Sequence, residues 1–163
     1  DNYQLYKNDL YNEKAEYRED FRATSFENEF FDMVILDPPY LRTNNTAGKM
    51  ASKYNNQVVN LRRHTDVIEF YKEGIKEAQR LLKPSGILVI KCQDEIEASR
   101  QKWTHVELLE LEGFLAEDIF VLLSTRKPMI ANKQPVQYHA RKNHSYFLVH
   151  RKLKPKKQKK TPS

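Results

Sequence analysis

Asp37, Pro38, Pro39 and Tyr40 follow one another in the chain and carry groups suited to chemistry. Two prolines fix φ and remove two backbone donors, so the turn is stiff and no strand runs through it. An acid and an aromatic ring are thereby presented rigidly. The substrate that wants this set is an exocyclic amino group on a nucleobase. Its nitrogen is a weak nucleophile because the lone pair is delocalised into the ring. Acceptors on its N–H groups localise that pair. The Asp37 carboxylate and the Pro38 carbonyl supply two such acceptors, the second uncontested because Pro39 has no N–H. Tyr40 can stack on the base and hold it in place. The plainer alternative is a strand ending in a Pro-Pro turn with a helix-capping Asp.

Other elements must position this turn. The apolar run 33–36 reads as a buried parallel strand. That places the turn at a carboxyl end, where open α/β sheets bind ligands. The spacing of Val67, Ile68, Tyr71, Ile75, Ala78, Leu81 and Leu82 predicts a helix over 65–82,. Thr65 is its expected N-cap, Asp66 suits its positive end, and Lys83-Pro84-Ser85-Gly86 stops it,. Residues 86–92 form a continuous apolar strand ending in Lys91-Cys92-Gln93-Asp94,. If this strand neighbours the first, Lys91 meets phosphate or the Asp37 region, and Gln93 and Asp94 line the pocket. Cys92 has no obvious base partner and reads as a small core residue. A helix is expected over 101–112, with Trp103, Val106, Leu108, Leu109 and Leu111 packing and Gly113 capping it,. Strands are expected over 114–123 and 145–150, the latter antiparallel at the far side of the sheet. The opening stretch 3–7 (YQLYK) reads as a further short strand.

Three stretches carry a family resemblance: FDMVILDPPY (31–40), GILVIKCQD (86–94) and HARKNHSYFLVHRK (139–152). The first resembles motif IV of the S-adenosylmethionine-dependent amino-methyltransferases, which act on adenine N6 or cytosine N4. Together the three resemble the short bacterial and phage DNA methyltransferase-like proteins, over roughly residues 6–152. The resemblance implies an α/β fold: a Rossmann-like class I methyltransferase sheet, mostly parallel with an antiparallel C-terminal strand, N-terminally incomplete. It implies a catalytic domain over 1–152 and a basic disordered tail over 153–163. Asp37, Pro38, Pro39 and Tyr40 become catalytic, and S-adenosyl-L-methionine the cofactor. Asp9 and Asp20 fit, in order and spacing, the acids that take the cofactor's ribose hydroxyls and adenine amine. Phe21 completes the adenine pocket, and Asp37 also faces the cofactor. The family's Gly-rich cofactor loop should precede Asp9. None of the four glycines stands there, so a fragment or a degenerate relative is expected, with weak cofactor binding,.

DNA is the expected partner, favoured over RNA. The stretch 41–60 is long, polar and rich in Asn, and carries Arg42, Lys49 and Lys53. It reads as a loop that closes over a flipped base, or as a surface insertion. Lys91, Arg126, His139, Arg141 and Lys142 complete the expected nucleic-acid contacts. Two other readings stay open: an RNA base amino-methyltransferase, and a non-catalytic nucleic-acid-binding relative. His139 and His144 lack a Cys or acid at ligand spacing, so no metal is expected.

Composition fits a chain with polar loops, 39% hydrophobic and 31% charged over 163 residues, which is one domain by length,. The segment 151–160 carries seven of the 28 basic residues and no acid, so the rest is close to neutral against its 22 acids. Such a tail grips phosphates or stays solvated. No apolar run approaches a membrane span, and the single cysteine fits a reducing compartment,. A cytoplasmic protein, bacterial or phage-encoded, is the expectation.

Overall fold

The structure is a computed structural model that describes residues 3–38, 61–125 and 142–154. The apolar run of the proline turn forms β1 (Phe31–Leu36). Helix α1 follows (His64–Leu81), then β2 (Leu82–Cys92). A small hairpin, β3 (Glu95–Glu97) and β4 (Arg100–Lys102), leads into a single helical turn, α2 (Thr104–Glu107). Strands β5 (Phe114–Leu123) and β6 (His144–Lys152) close the main sheet.

That sheet has the order β1-β2-β6-β5. β1 and β2 are parallel, and β6 is antiparallel to both of its neighbours, so β1, β2 and β5 run the same way. Three strands thus run one way and the last strand of the chain runs against them, the mostly parallel sheet that the resemblance implies. β6 is not at the far side as expected. It is inserted between β2 and β5, and β5 takes the edge. An apolar strand pattern gives faces, not order, so the insertion has no local signal.

α1 lies on one face of the sheet. Its Val67, Ile68, Tyr71, Ile75 and Ala78 pack with Leu36 of β1, Leu88, Ile90 and Cys92 of β2, and Leu148 of β6. Each fully buried aliphatic side chain contributes roughly 1.5–3 kcal/mol. The Tyr71 hydroxyl donates to the Lys91 carbonyl at 2.8 Å, so α1 also fixes β2 near its carboxyl end. On the other face, Met33 and Ile35 of β1 and Phe120 of β5 are exposed.

Several expectations need correction. Residues 3–7 form no strand, because no described neighbour offers them a ladder. A single parallel bridge joins Asn8 to Tyr17, and Tyr6 instead packs edge-on against Phe26, Phe30 and Phe31. The α1 N-cap is Arg63, not Thr65. The Asp66 carboxylate accepts from the Arg62 and Arg63 N–H groups at 2.9 and 2.8 Å, which satisfies that end of the helix,. The helix expected over 101–112 shrinks to α2, because β4 takes the residues up to Lys102. Trp103 and Val106 are therefore exposed, and only Leu108 is fully buried. Gly113 adopts φ +82° but caps no helix, because α2 already ends at Glu107 with Leu108 as its C-cap,.

The stretch before β1 is strapped to α1 through Glu77 and Arg80. The Glu77 carboxylate accepts from the Thr24 N–H and hydroxyl at 2.9 and 2.8 Å. It also accepts from Arg80 Nη2 at 2.6 Å, and Arg80 in turn donates to the Phe26 carbonyl at 2.8 Å. Arg80, then Thr24, holds the Glu77 carboxyl down at about 2, from an ordinary 4.5. A depressed carboxyl stabilises the fold above its unfolded value and loses that contribution as pH falls through the folded one. Glu77→Gln should lower unfolding free energy at pH 7 by roughly 1–3 kcal/mol, the usual worth of hydrogen bonds to a charged group. The gap from the parent should narrow as pH falls from 4.5 toward about 2. Urea melts across that range check this; a gap independent of pH would contradict it.

Candidate active site

The site is built at the carboxyl end of β1. Leu36, the last strand residue, is buried and pairs with Ile90 of β2. The chain then leaves the sheet at Asp37, which is exposed, and Pro38, which is buried. A strand pinned this far by its ladder cannot swing its first loop residue, so Asp37 is held by backbone geometry.

Lys91 comes from the neighbouring strand. Its Nζ lies 2.8 Å from Asp37 Oδ2, with the two side chains 24% and 46% exposed. The pair is open to solvent rather than closed. A carboxylate has two oxygens with about four acceptor sites, so Lys91 leaves Asp37 able to accept from a substrate. Of the two partners the sequence offered Lys91, phosphate or Asp37, the structure shows Asp37.

Asp9 and Asp20 sit on the stretch before β1. The Asn8 amide donates to the Glu19 carbonyl at 3.1 Å and accepts from the Glu19 N–H at 2.9 Å. Asp9 and Asp20 are the residues that follow this tied pair. Asp9 Oδ1 accepts from the Tyr11 and Asn12 N–H groups. Asp20 is held by Arg22, at 2.9 and 2.6 Å to its two oxygens, and Arg22 pulls its carboxyl below the usual range. Arg22 also reaches Glu73 on α1 and lies over the Phe70 ring. Phe21 packs edge-on against Phe70, 4.9 Å between centroids.

Of the remaining predicted residues, Lys142 is described and lies near Trp103. Pro39, Tyr40, Arg42, Lys49, Lys53, Arg126, His139, Arg141 and most of the basic tail (155–163) lie outside the described residues.

Beyond the end of β2 the structure assembles a group of side chains of which the sequence had singled out only Asp94, expected to line the pocket and found buried. Asp94, fully buried, accepts from His105 Nδ1 at 2.7 Å. His105 stacks on Tyr146 at 4.1 Å between centroids. Burial first, then the Asp94 charge, pushes the Tyr146 phenol up. Buried His64 lies between Glu95 and Glu107, at 2.8 and 2.7 Å from its ring nitrogens, and its N–H donates to Glu97. The Glu-Ile-Glu spacing, which puts both acids on one side of a strand, is the one signal that pointed there. Cys92 is buried, which pushes its thiol up to about 12 and suits the core role expected of it,. No three His, Cys, Asp or Glu among the described residues form a group able to hold a metal. No helix among them is long and apolar enough to cross a membrane.

A family model for DNA methylase, of the N6/N4 methyltransferase type, matches residues 31–162. The chain belongs to this DNA methylase family. No curated protein matches it. Two of the solved structures that the chain matches show the shared fold. PvuII DNA methyltransferase (cytosine-N4-specific) has 12% identity and a TM-score of 0.54, over 78% of this chain and 44% of that one. A candidate DNA modification methylase from Thermus thermophilus, TTHA0409, solved with S-adenosyl-L-methionine, has 19% identity and a TM-score of 0.52. It is matched over 83% of this chain and 51% of its own. The chain thus spans about half the length of the solved structures it matches.

Packing of Phe21 against α1 depends on Gly74. A Cβ added there would lie 2.3 Å from a Phe21 ring carbon and 3.3 Å from Leu36. Alanine is the better helix former by about 1 kcal/mol, but overpacking costs roughly 1–3 kcal/mol. Gly74→Ala should therefore give no gain in melting temperature and should displace the Phe21 ring, visible as shifted ring resonances in NMR. A more stable variant with unmoved Phe21 resonances would contradict this packing.

Proposed function

We propose that the protein transfers a methyl group from S-adenosyl-L-methionine to an exocyclic amine of a DNA base, adenine N6 or cytosine N4. The observation that carries the reading is Asp37: exposed, at the carboxyl end of β1, followed by a buried proline, and held by Lys91 at Oδ2. Membership of the DNA methylase family supports the substrate class.

The donor set fits the cofactor. Ribose hydroxyls and the adenine amine are hydrogen-bond donors, and Asp9 and Asp20 offer carboxylate oxygens on adjacent stretches, with the Phe21 ring beside Asp20,. Asp9 uses Oδ1 for its own turn, which leaves Oδ2 for a hydroxyl. Arg22 holds the Asp20 carboxyl below its usual range and donates to both of its oxygens, from its backbone N–H, Nε and Nη2, so an adenine amine would share those oxygens with Arg22. The bound cofactor supplies a methyl on a sulfonium, and the electron pair of the breaking C–S bond stays on sulfur.

The chain's own residues do the rest. Asp37 and the Pro38 carbonyl accept from the amine and so localise its lone pair toward the methyl carbon. Tyr40 stacks on the base. Lys91 holds the Asp37 side chain in one direction. As the new N–C bond forms, the amine loses a proton to Asp37, which passes it to solvent. Placement and charge compensation are the main contributions of such a site. In a duplex the target base must first leave the stack. Arg42, Lys49, Lys53, Arg126, His139, Arg141 and the tail are proposed to meet phosphates, in a protein of the cytoplasm.

The test is product identity. The full-length protein, with methyl-tritiated S-adenosylmethionine and either DNA or ribosomal RNA, should place label in N6-methyladenine or N4-methylcytosine from DNA. Label recovered only from RNA, or from neither, would overturn the reading. Lys91→Met should lower kcat by roughly ten-fold or more, as loss of one positioning contact does. Lys91→Arg should recover part of it; an unchanged kcat in Lys91→Met would remove Lys91 from the mechanism.

A further inference from the structure

Trp103 is the one tryptophan of the chain, and it is 52% exposed at the junction of β4 and α2. It is not a floppy surface residue. Its carbonyl accepts from the Val106 and Glu107 N–H groups at 3.0 and 3.1 Å, so the turn that carries it is fixed. Its ring has an aromatic neighbour, His105, edge-on at 6.1 Å, and His105 stacks in turn on Tyr146 of β6. Tyr146 pairs with Cys92, at the carboxyl end of β2. The ring series therefore stands at the same end of the sheet as Asp37. β6 is two strand spacings from β1, roughly 10 Å away.

A cation accompanies the indole. Lys142 Nζ lies 5.5 Å from the Trp103 ring centroid and donates to the Gln101 amide oxygen at 2.8 Å. Gln101 is itself fixed, through its amide nitrogen, to the Glu95 and Lys102 carbonyls. Among the described residues, the ammonium is given two uncharged partners, whereas Lys83, Lys91 and Lys102 each face a carboxylate. Lys142 thus places its ammonium against an exposed aromatic ring. A planar, apolar ring on a fixed turn, with an ammonium held near it by an amide, is a pairing suited to an unpaired nucleotide. The base stacks on the ring and the phosphate meets the ammonium.

We propose that Trp103 and Lys142 form a platform for an unpaired base of the DNA strand, beside the proposed target site and distinct from Tyr40. This deepens the proposed function on its nucleic-acid side and rests on that reading for the choice of DNA. It does not need methyl transfer to occur. Neither residue touches the reacting amine; they position the strand.

The single tryptophan gives a direct readout. Titration of the chain with a short single-stranded oligonucleotide should quench Trp103 emission, and the same titration in rising salt should weaken binding. Lys142→Met should reduce the salt slope by about one, with binding weakened at every sequence, and Lys142→Arg should restore it. Trp103→Ala should weaken binding of a labelled oligonucleotide, followed by anisotropy, by roughly five- to hundred-fold, the range of one lost stack. Quenching without methyl transfer on any substrate would keep the platform and remove the proposed reaction. Oligonucleotide binding with unchanged Trp103 emission, or no binding at all, would overturn the platform whatever the transfer assay gives.

Discussion

The parallel pairing of β1 with β2 is the constraint on which the rest depends. It runs through Ile35↔Val89 and Leu36↔Ile90 and ends where the prolines begin. Because the ladder ends there, Asp37 is the first side chain released from the sheet, and Lys91, one residue past the last partner of β1, is the cation that meets it. A shift of one residue in this register would turn Leu36 out of the core and carry Asp37 away from Lys91. Core packing and site geometry are thus the same fact. The side chains that bury Leu36 and Ile90 under α1 are the ones that aim the carboxylate.

α1 serves both sides of the site. Through Tyr71 it holds β2 by the carbonyl of Lys91 itself. Through Glu73, Glu77 and Arg80 it holds the stretch that carries Asp20 and Phe21. The charged face of the helix is therefore not a merely solvated one. Glu77 is buried and fully engaged, and Arg22 and Arg80 each join a carboxylate to a second partner. Exposed ion pairs of this sort stabilise little by themselves. Here they fix where Asp20 stands relative to the sheet.

Much of this was legible in the sequence because it rested on local rules. The run before Asp37, the helical spacing from Val67 to Leu81 and the continuous apolar stretch ending at Cys92 each fix an element by periodicity alone. The proline turn fixed the end of β1 and, with it, the place of the site. What escaped was decided by tertiary context. YQLYK has strand-forming residues but no described neighbour to pair with. Residues 101–112 have helix formers, yet the β3–β4 hairpin claims the first of them, which turns Trp103 from an expected packing residue into an exposed one. The place of β6 between β2 and β5 has no signature in either strand. His64 and His105 were passed over because the acids that hold them, Glu107 and Asp94, lie 43 and 11 residues away.

In the proposed function Asp37 is the acceptor that activates an aromatic amine. The most direct measurement is the single-turnover methyl-transfer rate of Asp37→Ala in the full-length protein, with circular dichroism and thermal melting run alongside. Asp37 is exposed and its ion pair is open, so the fold should survive while transfer falls below detection. A folded Asp37→Ala variant that still methylates DNA at a rate near the parent's would contradict the account at its centre.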